Sequence, residues 1–156
     1  MDDQGYELVI IGGGNMGAAL LGGLVDSGVF AESTLCVVEV DGARRDQLAA
    51  TFPAVAVAAT VPRCSGAVLA VKPDGISAAA AAAAEAGARR LVSIAAGVRL
   101  ATIEAAAGVG TAVIRAMPNT PALVRLGACA IAAGSAATID DVAWARSILE
   151  AVGTVE

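Results

Sequence analysis

The chain carries the sequence ELVIIGGGNMG at residues 7–17, which predicts a strand, a glycine turn and the start of a helix. Glu7 to Ile11 is a short apolar run, and three consecutive glycines follow it. From Asn15 to Gly28, apolar residues recur at helical spacing. The pattern Gly-x-Gly-x-x-Gly lies between the two elements, which is the context that a dinucleotide-binding loop requires.

The three glycines of this pattern have different expected roles. Gly12 permits the tight turn, Gly14 lets the backbone approach a pyrophosphate, and Gly17 lets the helix pack close to the strand. Free N–H groups at the start of the helix attract the anion. The alternative is a glycine turn selected for packing alone.

Strand and helix patterns alternate along the rest of the chain. Further strands are predicted over 34–39, 55–57, 67–71, 91–95 and 111–114, with an edge strand over 129–132. Helices are predicted over 43–52, 78–84, 100–107 and 140–152, and residues 153–156 are expected to form no closing element. The alternation predicts one α/β domain over residues 1–156, with a Rossmann-like, doubly wound and mostly parallel sheet.

The composition favours a soluble, cytoplasmic protein. Hydrophobic residues make up 57% of the chain and the mean hydropathy is +0.74, but they occur in short runs, without a stretch of about 18 strongly apolar residues. Asp2, Asp3 and Glu7 occupy the place of the basic region of a secretory signal. The net charge of −5 and the low aromatic content do not favour nucleic-acid binding, which needs basic surfaces or aromatic residues that stack on bases. No membrane contact is expected.

Histidine is absent from the sequence, which excludes catalytic triads built on imidazole and most zinc sites. The three cysteines, Cys36, Cys64 and Cys129, show no paired spacing. We therefore predict buried thiols rather than disulfides or metal ligands, and no metal site.

Charged residues follow two of the predicted strands. Glu39 closes the second strand, 22 residues beyond Gly17, where an acid commonly binds the hydroxyls of the adenosine ribose. Its charge repels a 2′-phosphate and favours NADH, whereas Arg44 and Arg45 lie close enough in sequence to reach such a phosphate. Lys72 follows the fourth strand and is predicted to face the crevice at the carboxyl ends of the strands, where open α/β sheets bind ligands. In the alternative, Glu39 is a solvated strand end and Lys72 an exposed residue at a helix start.

Two further segments follow predicted strands. Ser93 to Gly97 contains small residues that leave room for a flat ring against the main chain. Arg115 to Pro121 reads RAMPNTP, which predicts a loop that is stiffened by two prolines and carries a cation, an amide and a hydroxyl. Because ligands of open α/β sheets bind beyond the carboxyl ends of the strands, both segments are candidate parts of one site.

Four motifs in register give the chain a family resemblance. They are IGGGNMG at 11–17, AVKP at 70–73, SIAAG at 93–97 and RAMPNTP at 115–121. Through them the chain resembles the amino-terminal half of pyrroline-5-carboxylate reductases. The resemblance implies an oxidoreductase of proline biosynthesis, which transfers a hydride from NADPH or NADH to 1-pyrroline-5-carboxylate and produces L-proline. A cyclic imine is easily protonated, so this chemistry suits a chain without histidine, and positioning supplies much of the catalysis.

The resemblance also implies roles for individual residues. Asn119 and Thr120 would border the small imino-acid substrate, and Val40 stands where many members carry a residue that takes the 2′-phosphate, so that the sequence leans to NADH. The implied cofactor-binding residues are Gly12, Gly14, Asn15, Met16, Gly17, Glu39, Val40, Ala70, Val71, Lys72, Pro73, Ile94, Ala96 and Asn119.

Members of this family continue into an all-helical second domain, which forms the homo-oligomer and supplies the proposed proton donor. We expect this chain to stop before that domain, to contain no assigned catalytic residue and to be a poor catalyst alone. Two other interpretations stay open. One is a non-catalytic NAD(P)H-binding module, and the other is a different reductase with the same front half, such as a deazaflavin-dependent one, against which the segment 115–121 argues.

Overall fold

The computed structural model describes residues 5–119 and 127–156, which form eight strands and five α-helices. The strands are Tyr6–Ile11 (β1), Leu35–Val38 (β2), Ala56–Ala58 (β3), Cys64–Leu69 (β4), Arg90–Ser93 (β5), Ala112–Pro118 (β6), Gly127–Ala133 (β7) and Gly153–Val155 (β8). The helices are Asn15–Ser27 (α1), Gly42–Thr51 (α2), Ile76–Glu85 (α3), Leu100–Ala107 (α4) and Ile139–Leu149 (α5).

The eight strands form one sheet in the order β3-β2-β1-β4-β5-β6-β7-β8. Neighbouring strands are parallel except for the pair β6 and β7. The chain builds outward from β1 to β3 and then crosses to β4 on the other side of β1. This reversal leaves a crevice beyond the carboxyl ends of β1 and β4, where open α/β sheets bind their ligands. The predicted doubly wound, mostly parallel fold is confirmed.

Helices cover both faces of the sheet, which explains why its central strands are continuous apolar runs. On one face, α1, α2 and α5 bury side chains such as Leu21, Leu48 and Ile148. On the other face, α3 and α4 bury Ile76 and Ile103, and several alanines of the polyalanine run are buried with them. The alanine run over 78–84 therefore packs against the sheet through part of its surface.

Three segments differ from the prediction. The segment from Arg115 to Pro118 was predicted as a loop, but it belongs to β6, because the antiparallel β7 returns along it and pairs Arg115 with Ala132 and Pro118 with Cys129. The predicted edge strand over 129–132 is an inner strand, since β8 pairs beyond it. Residues 153–155, expected to form no element, are that parallel edge strand. Thr120 and Pro121 lie outside the described residues.

The strands β4 and β5 also end earlier than predicted. The ladder stops at Leu69 and Ser93, so that Ala70, Val71 and Ala95 lie in the connections. The shift matters because residues predicted as strand ends are available to line the crevice.

All three cysteines are buried and free, which confirms the prediction of buried thiols. Burial raises the pKa of both Cys36 and Cys64 to about 11, and the proximity of Cys64 adds to the shift at Cys36. Both thiols are therefore protonated at neutral pH. Among the described residues, we find no helix that combines the length and the apolar character needed to cross a bilayer.

Candidate functional site

The glycine loop is fixed by close backbone contacts. Gly12 has φ of 110°, and a Cβ at this position would lie 2.5 Å from the carbonyl oxygen of Ala70. A Cβ on Gly17, which is buried in α1, would meet the carbonyl oxygen of Gly12. Since neither position accepts a side chain, the end of β1, the start of α1 and the end of β4 are held together by these two glycines.

Gly14 differs from the other two glycines of the motif. Its φ of −71° and ψ of −164° are accessible to any residue, and a Cβ there would meet nothing within 4 Å. Gly14 is the N-cap of α1 and provides no side-chain cap, so the first N–H groups of the helix remain available to an anion. The space beside Gly14 is thus open and borders an electropositive helix end.

Glu39 connects this loop to the next helix. Its Oε1 accepts a hydrogen bond of 3.1 Å from the N–H of Gly13, and its Oε2 accepts one of 3.0 Å from the N–H of Asp41. Each carboxylate oxygen has a further lone pair. The half-buried carboxylate therefore holds the glycine loop in place and can still accept hydrogen bonds from hydroxyl groups.

The two arginines of α2 are bound to the backbone beside Glu39. The Nε of Arg44 donates to the carbonyl oxygen of Gly13 at 2.7 Å. The Nη1 of Arg45 donates to the carbonyl oxygens of Glu39 and Val40, both at 2.9 Å. Sequence reasoning considered these arginines only as phosphate ligands. The bond of Arg44 joins residues that lie 31 positions apart and leaves no local signal.

The loops enclose a crevice of about 340 Å³ at the carboxyl ends of the strands. It brings together seven of the residues implied for the cofactor and two, Ile11 and Val38, that sequence reasoning missed. Both missed residues directly precede a loop, which is the signal that could have found them. The lining residues are Ile11, Gly12, Gly14, Val38, Glu39, Val40, Ala70, Val71 and Lys72.

Lys72 supplies a positive charge to this crevice. It is exposed and caps a short 3₁₀ turn, Pro73–Gly75, in which the N–H of Gly75 donates to its carbonyl oxygen at 2.9 Å. Within residues 5–119 and 127–156 its ammonium group forms no ion pair. Lys72 is therefore available to an anionic ligand.

Several predicted residues do not line the crevice. Asn15 and Met16 are in the first turn of α1, Ile94 packs against the core, and Ala96 is exposed after β5. The Oδ1 of Asn119 accepts a hydrogen bond of 2.9 Å from the N–H of Ala128. In this structure the Asn119 side chain therefore joins the end of β6 to β7.

Arg115 is the charged residue of the segment 115–121 that the structure describes. It pairs with the buried Ser93 in the sheet register. Its Nη2 lies 3.4 Å from the sulfur of Met117, and its buried Nε has no hydrogen-bond partner among the described residues. Arg115 therefore lies in the middle of β6, level with the last residue of β5.

Known proteins of similar sequence are pyrroline-5-carboxylate reductases. The enzyme of that name from Synechocystis sp. is 42% identical over 155 residues, which cover 96% of this chain and 57% of the relative. The Mycobacterium tuberculosis enzyme, strain CDC 1551, is 35% identical over 96% of this chain and 54% of its own length. The chain spans about half the length of the curated relatives it matches.

Solved structures agree with these sequence matches. A pyrroline-5-carboxylate reductase from Coxiella burnetii superposes with a TM-score of 0.87 at 30% identity, over 96% of this chain and 57% of that one. The Plasmodium falciparum pyrroline carboxylate reductase with NADP bound has a TM-score of 0.81 at 22% identity, over 98% of this chain and 57% of that one. At that identity the second match shows the fold alone.

A family match covers the elements that build the crevice. It spans residues 7–97, from β1 to the loop after β5, and ends before the segment 115–121. The matched region thus contains the glycine loop, Glu39 and Lys72, and it exceeds half of the 156 residues. The chain belongs to the family described as NADP oxidoreductase coenzyme F420-dependent.

Proposed function

We propose that this chain is the cofactor-binding half of a pyrroline-5-carboxylate reductase, which reduces 1-pyrroline-5-carboxylate to L-proline with NADH or NADPH. The observation that carries the proposal is the open crevice at Gly14, in a chain that aligns over 96% of its length with the Synechocystis reductase. The segment 115–121, which lies outside the family match, argues against a deazaflavin-dependent reductase.

The geometry of the crevice fits a dinucleotide. The missing side chain at Gly14 leaves a cradle that a Cβ would fill, and the uncapped N–H groups of α1 border it. Such a helix start suits a pyrophosphate, and the free lone pairs of Glu39 suit the hydroxyls of a ribose. We assign Gly12–Gly17 to the pyrophosphate, Glu39 and Val40 to the adenosine ribose, and residues 70–73, 94 and 96 to the nicotinamide half.

The chain positions the reactants and contributes charge. When bound, the nicotinamide supplies the reducing equivalents for the C=N bond. Lys72 attracts anionic groups to the crevice, while the small residues at Ala70 and Ala96 permit close approach to the main chain. Asn119 and Thr120 are proposed to border the imino acid. We assign no proton donor within the chain, since the family resemblance places it in a second, helical domain that also forms the homo-oligomer.

We further propose a preference for NADH. The carboxylate of Glu39 repels a 2′-phosphate, and Val40, 85% exposed, offers it no hydrogen bond. Arg44 and Arg45 donate some of their N–H groups to backbone carbonyl oxygens, which leaves fewer N–H donors for a phosphate. Titration of the chain with each nucleotide measures the preference, and tighter binding of NADPH would refute it.

The activity can be tested with a chimera. Fusing residues 1–156 to the carboxy-terminal part of the Synechocystis reductase restores the length of that relative. We expect both proteins to bind cofactor and the chimera to oxidise it when pyrroline-5-carboxylate is added, while the chain alone shows little turnover. A folded chimera that binds cofactor but does not reduce this imine would contradict the proposal and favour a binding module.

A further inference from the structure

A second cleft lies at the opposite edge of the sheet. It has a volume of about 440 Å³ and lies where β1, β4 and β5 begin, whereas the crevice lies where the parallel strands β1 and β4 end. We call it the amino-edge cleft. Its lining residues are Glu7, Arg63, Cys64, Ser65, Gly66, Gly87, Arg89, Arg90 and Trp144.

Two arginines of this cleft are fixed on neighbouring strands. Arg63 precedes β4, and its carbonyl oxygen accepts a hydrogen bond of 2.9 Å from the N–H of Tyr6. Arg89 precedes β5, and its N–H donates to the carbonyl oxygen of Ser65 at 2.9 Å. Because Ser65 follows Arg63 by two residues along the same segment, the two backbone anchors are near each other. Both side chains are exposed and have no hydrogen-bond or ion-pair partner within the described part of the chain.

The third arginine, Arg90, is held in place by contacts with Asp141 and Trp144. Its Nε lies 2.8 Å from Oδ1 of Asp141, and its guanidinium carbon is 5.6 Å from the centre of the Trp144 ring. Its terminal nitrogens form no hydrogen bond to a described residue. The position of Arg90 is thus defined, while part of its donor capacity is unused.

Asp141 is well suited to keep Arg90 in this position. Burial opposes its ionisation, but hydrogen bonds from the N–H and the hydroxyl of Thr138, together with the charge of Arg90, outweigh that effect and lower the pKa of the carboxyl. Asp141 therefore remains charged at neutral pH and pairs with Arg90.

The wall of the cleft is formed in part by Trp144, which packs against Gly66. A Cβ at Gly66 would lie 2.5 Å from Cζ2 of Trp144, so glycine is what allows the indole to lie against β4. Among residues 5–119 and 127–156, Glu7 is the one carboxylate that lines the cleft, and Asp141 is already paired, so this lining carries an excess of positive charge. Its three arginines are a large share of the ten basic residues in a chain of net charge −5.

We propose that the amino-edge cleft binds the phosphate group of a small metabolite. Guanidinium groups match phosphate oxygens in pairs, and two of the three here lack any competing partner in the described structure. The volume lies within the range of small-molecule sites. The sheet separates this cleft from the crevice, so the site is distinct from the proposed cofactor site and does not depend on it.

Calorimetric titration with inorganic pyrophosphate tests this site. Because pyrophosphate is also expected to bind beside Gly14, the titration uses the Gly14→Val protein, in which we expect binding at the cofactor crevice to be strongly weakened. We expect one remaining site, whose affinity falls about tenfold or more in Arg63→Ala and in Arg89→Ala, as expected for the loss of a charged hydrogen bond. Arg99→Ala, which removes an exposed arginine elsewhere, is the charge-matched control and should leave the affinity within about twofold.

Three results would overturn the proposal. They are the absence of a second site, an affinity that neither Arg63→Ala nor Arg89→Ala weakens relative to Arg99→Ala, and tighter binding of citrate than of pyrophosphate. Circular dichroism of each variant confirms folding, and all four substituted positions are exposed.

Discussion

Gly14→Val is expected to weaken NAD(P)H binding about a hundredfold while leaving the sheet folded. The backbone of Gly14 is extended with a φ of −71°, so it lies outside the positive-φ region that disfavours side chains, and an added Cβ would point into open space. That same space is where we place the pyrophosphate. The variant therefore fills the ligand site and leaves the protein's own contacts intact.

The expected magnitudes differ strongly between folding and binding. Replacing glycine restricts the unfolded chain and stabilises by about 0.4–1 kcal/mol, which offsets a loss of about 1 kcal/mol for a poorer N-cap residue. The net change corresponds to a melting shift of no more than roughly 2–4 °C for a domain of this size. Loss of about two charge-assisted hydrogen bonds, each worth about 1.5 kcal/mol, raises the Kd for the cofactor about a hundredfold.

The assay combines a thermal melt with titration of NADH and NADPH, and Gly12→Ala serves as the contrasting variant. Gly12 has a positive φ and no room for a Cβ, so this change costs about 1–2 kcal/mol from the backbone alone, with the clash against Ala70 in addition. We expect Gly12→Ala to lose stability and binding together. If Gly14→Val binds cofactor as well as the unchanged protein does, the pyrophosphate assignment is wrong, and if it unfolds, the space beside Gly14 is not open.

Three further predictions follow from the charged and buried groups. Glu39→Gln should shift the ratio of NADH to NADPH affinity toward NADPH by about fivefold or more, and an unchanged ratio in paired titrations would show that the carboxylate does not select the cofactor. Asp141→Asn should lower the free energy of unfolding at pH 7 by about 1–2 kcal/mol, because the capping box and the ion pair with Arg90 are lost. The folded pKa of Asp141 lies below the unfolded value of 3.8, so its contribution is complete above that value and disappears as the pH falls through the folded pKa. Denaturant melts from neutral to acid pH should therefore converge for the two proteins. Cys36 and Cys64, with pKa values of about 11, should not react with a thiol reagent at pH 7 until denaturant is added, and rapid labelling of the native chain would contradict their burial.

The sequence predicted those parts of the molecule whose causes are local. The strand, turn and helix over residues 6–27 follow from an apolar run, three glycines and a helical repeat that lie next to one another. The alternation of strands and helices then restricts the topology, since parallel strands require crossovers of one hand. Both inferences need only neighbouring residues.

The parts that the sequence did not predict depend on distant partners. Arg115 to Pro118 contains a proline and polar neighbours that favour a loop, but β7, which pairs with it, fixes it as a strand. The bonds from Glu39 and Arg44 to Gly13 connect residues that lie 26 and 31 positions apart, respectively. Such contacts are decided by the folded sheet, which brings the ends of β1 and β2 together.

These two bonds have a consequence for the selection of the cofactor. The N–H of Gly13 is held by Glu39 and its carbonyl oxygen by Arg44, so the residue next to the proposed pyrophosphate site is fixed in part by the carboxylate of the proposed ribose site. Removing the whole side chain of Glu39 would therefore free the loop as well as remove the charge. Glutamine can still accept the Gly13 N–H through its one oxygen and loses only the bond from the Asp41 N–H, so Glu39→Gln removes the charge while it keeps the bond to the glycine loop. If Glu39→Ala weakens both nucleotides and shifts their ratio toward NADPH, while Glu39→Gln changes only the ratio, the carboxylate has two separate functions, which are to preorganise the loop and to repel the 2′-phosphate.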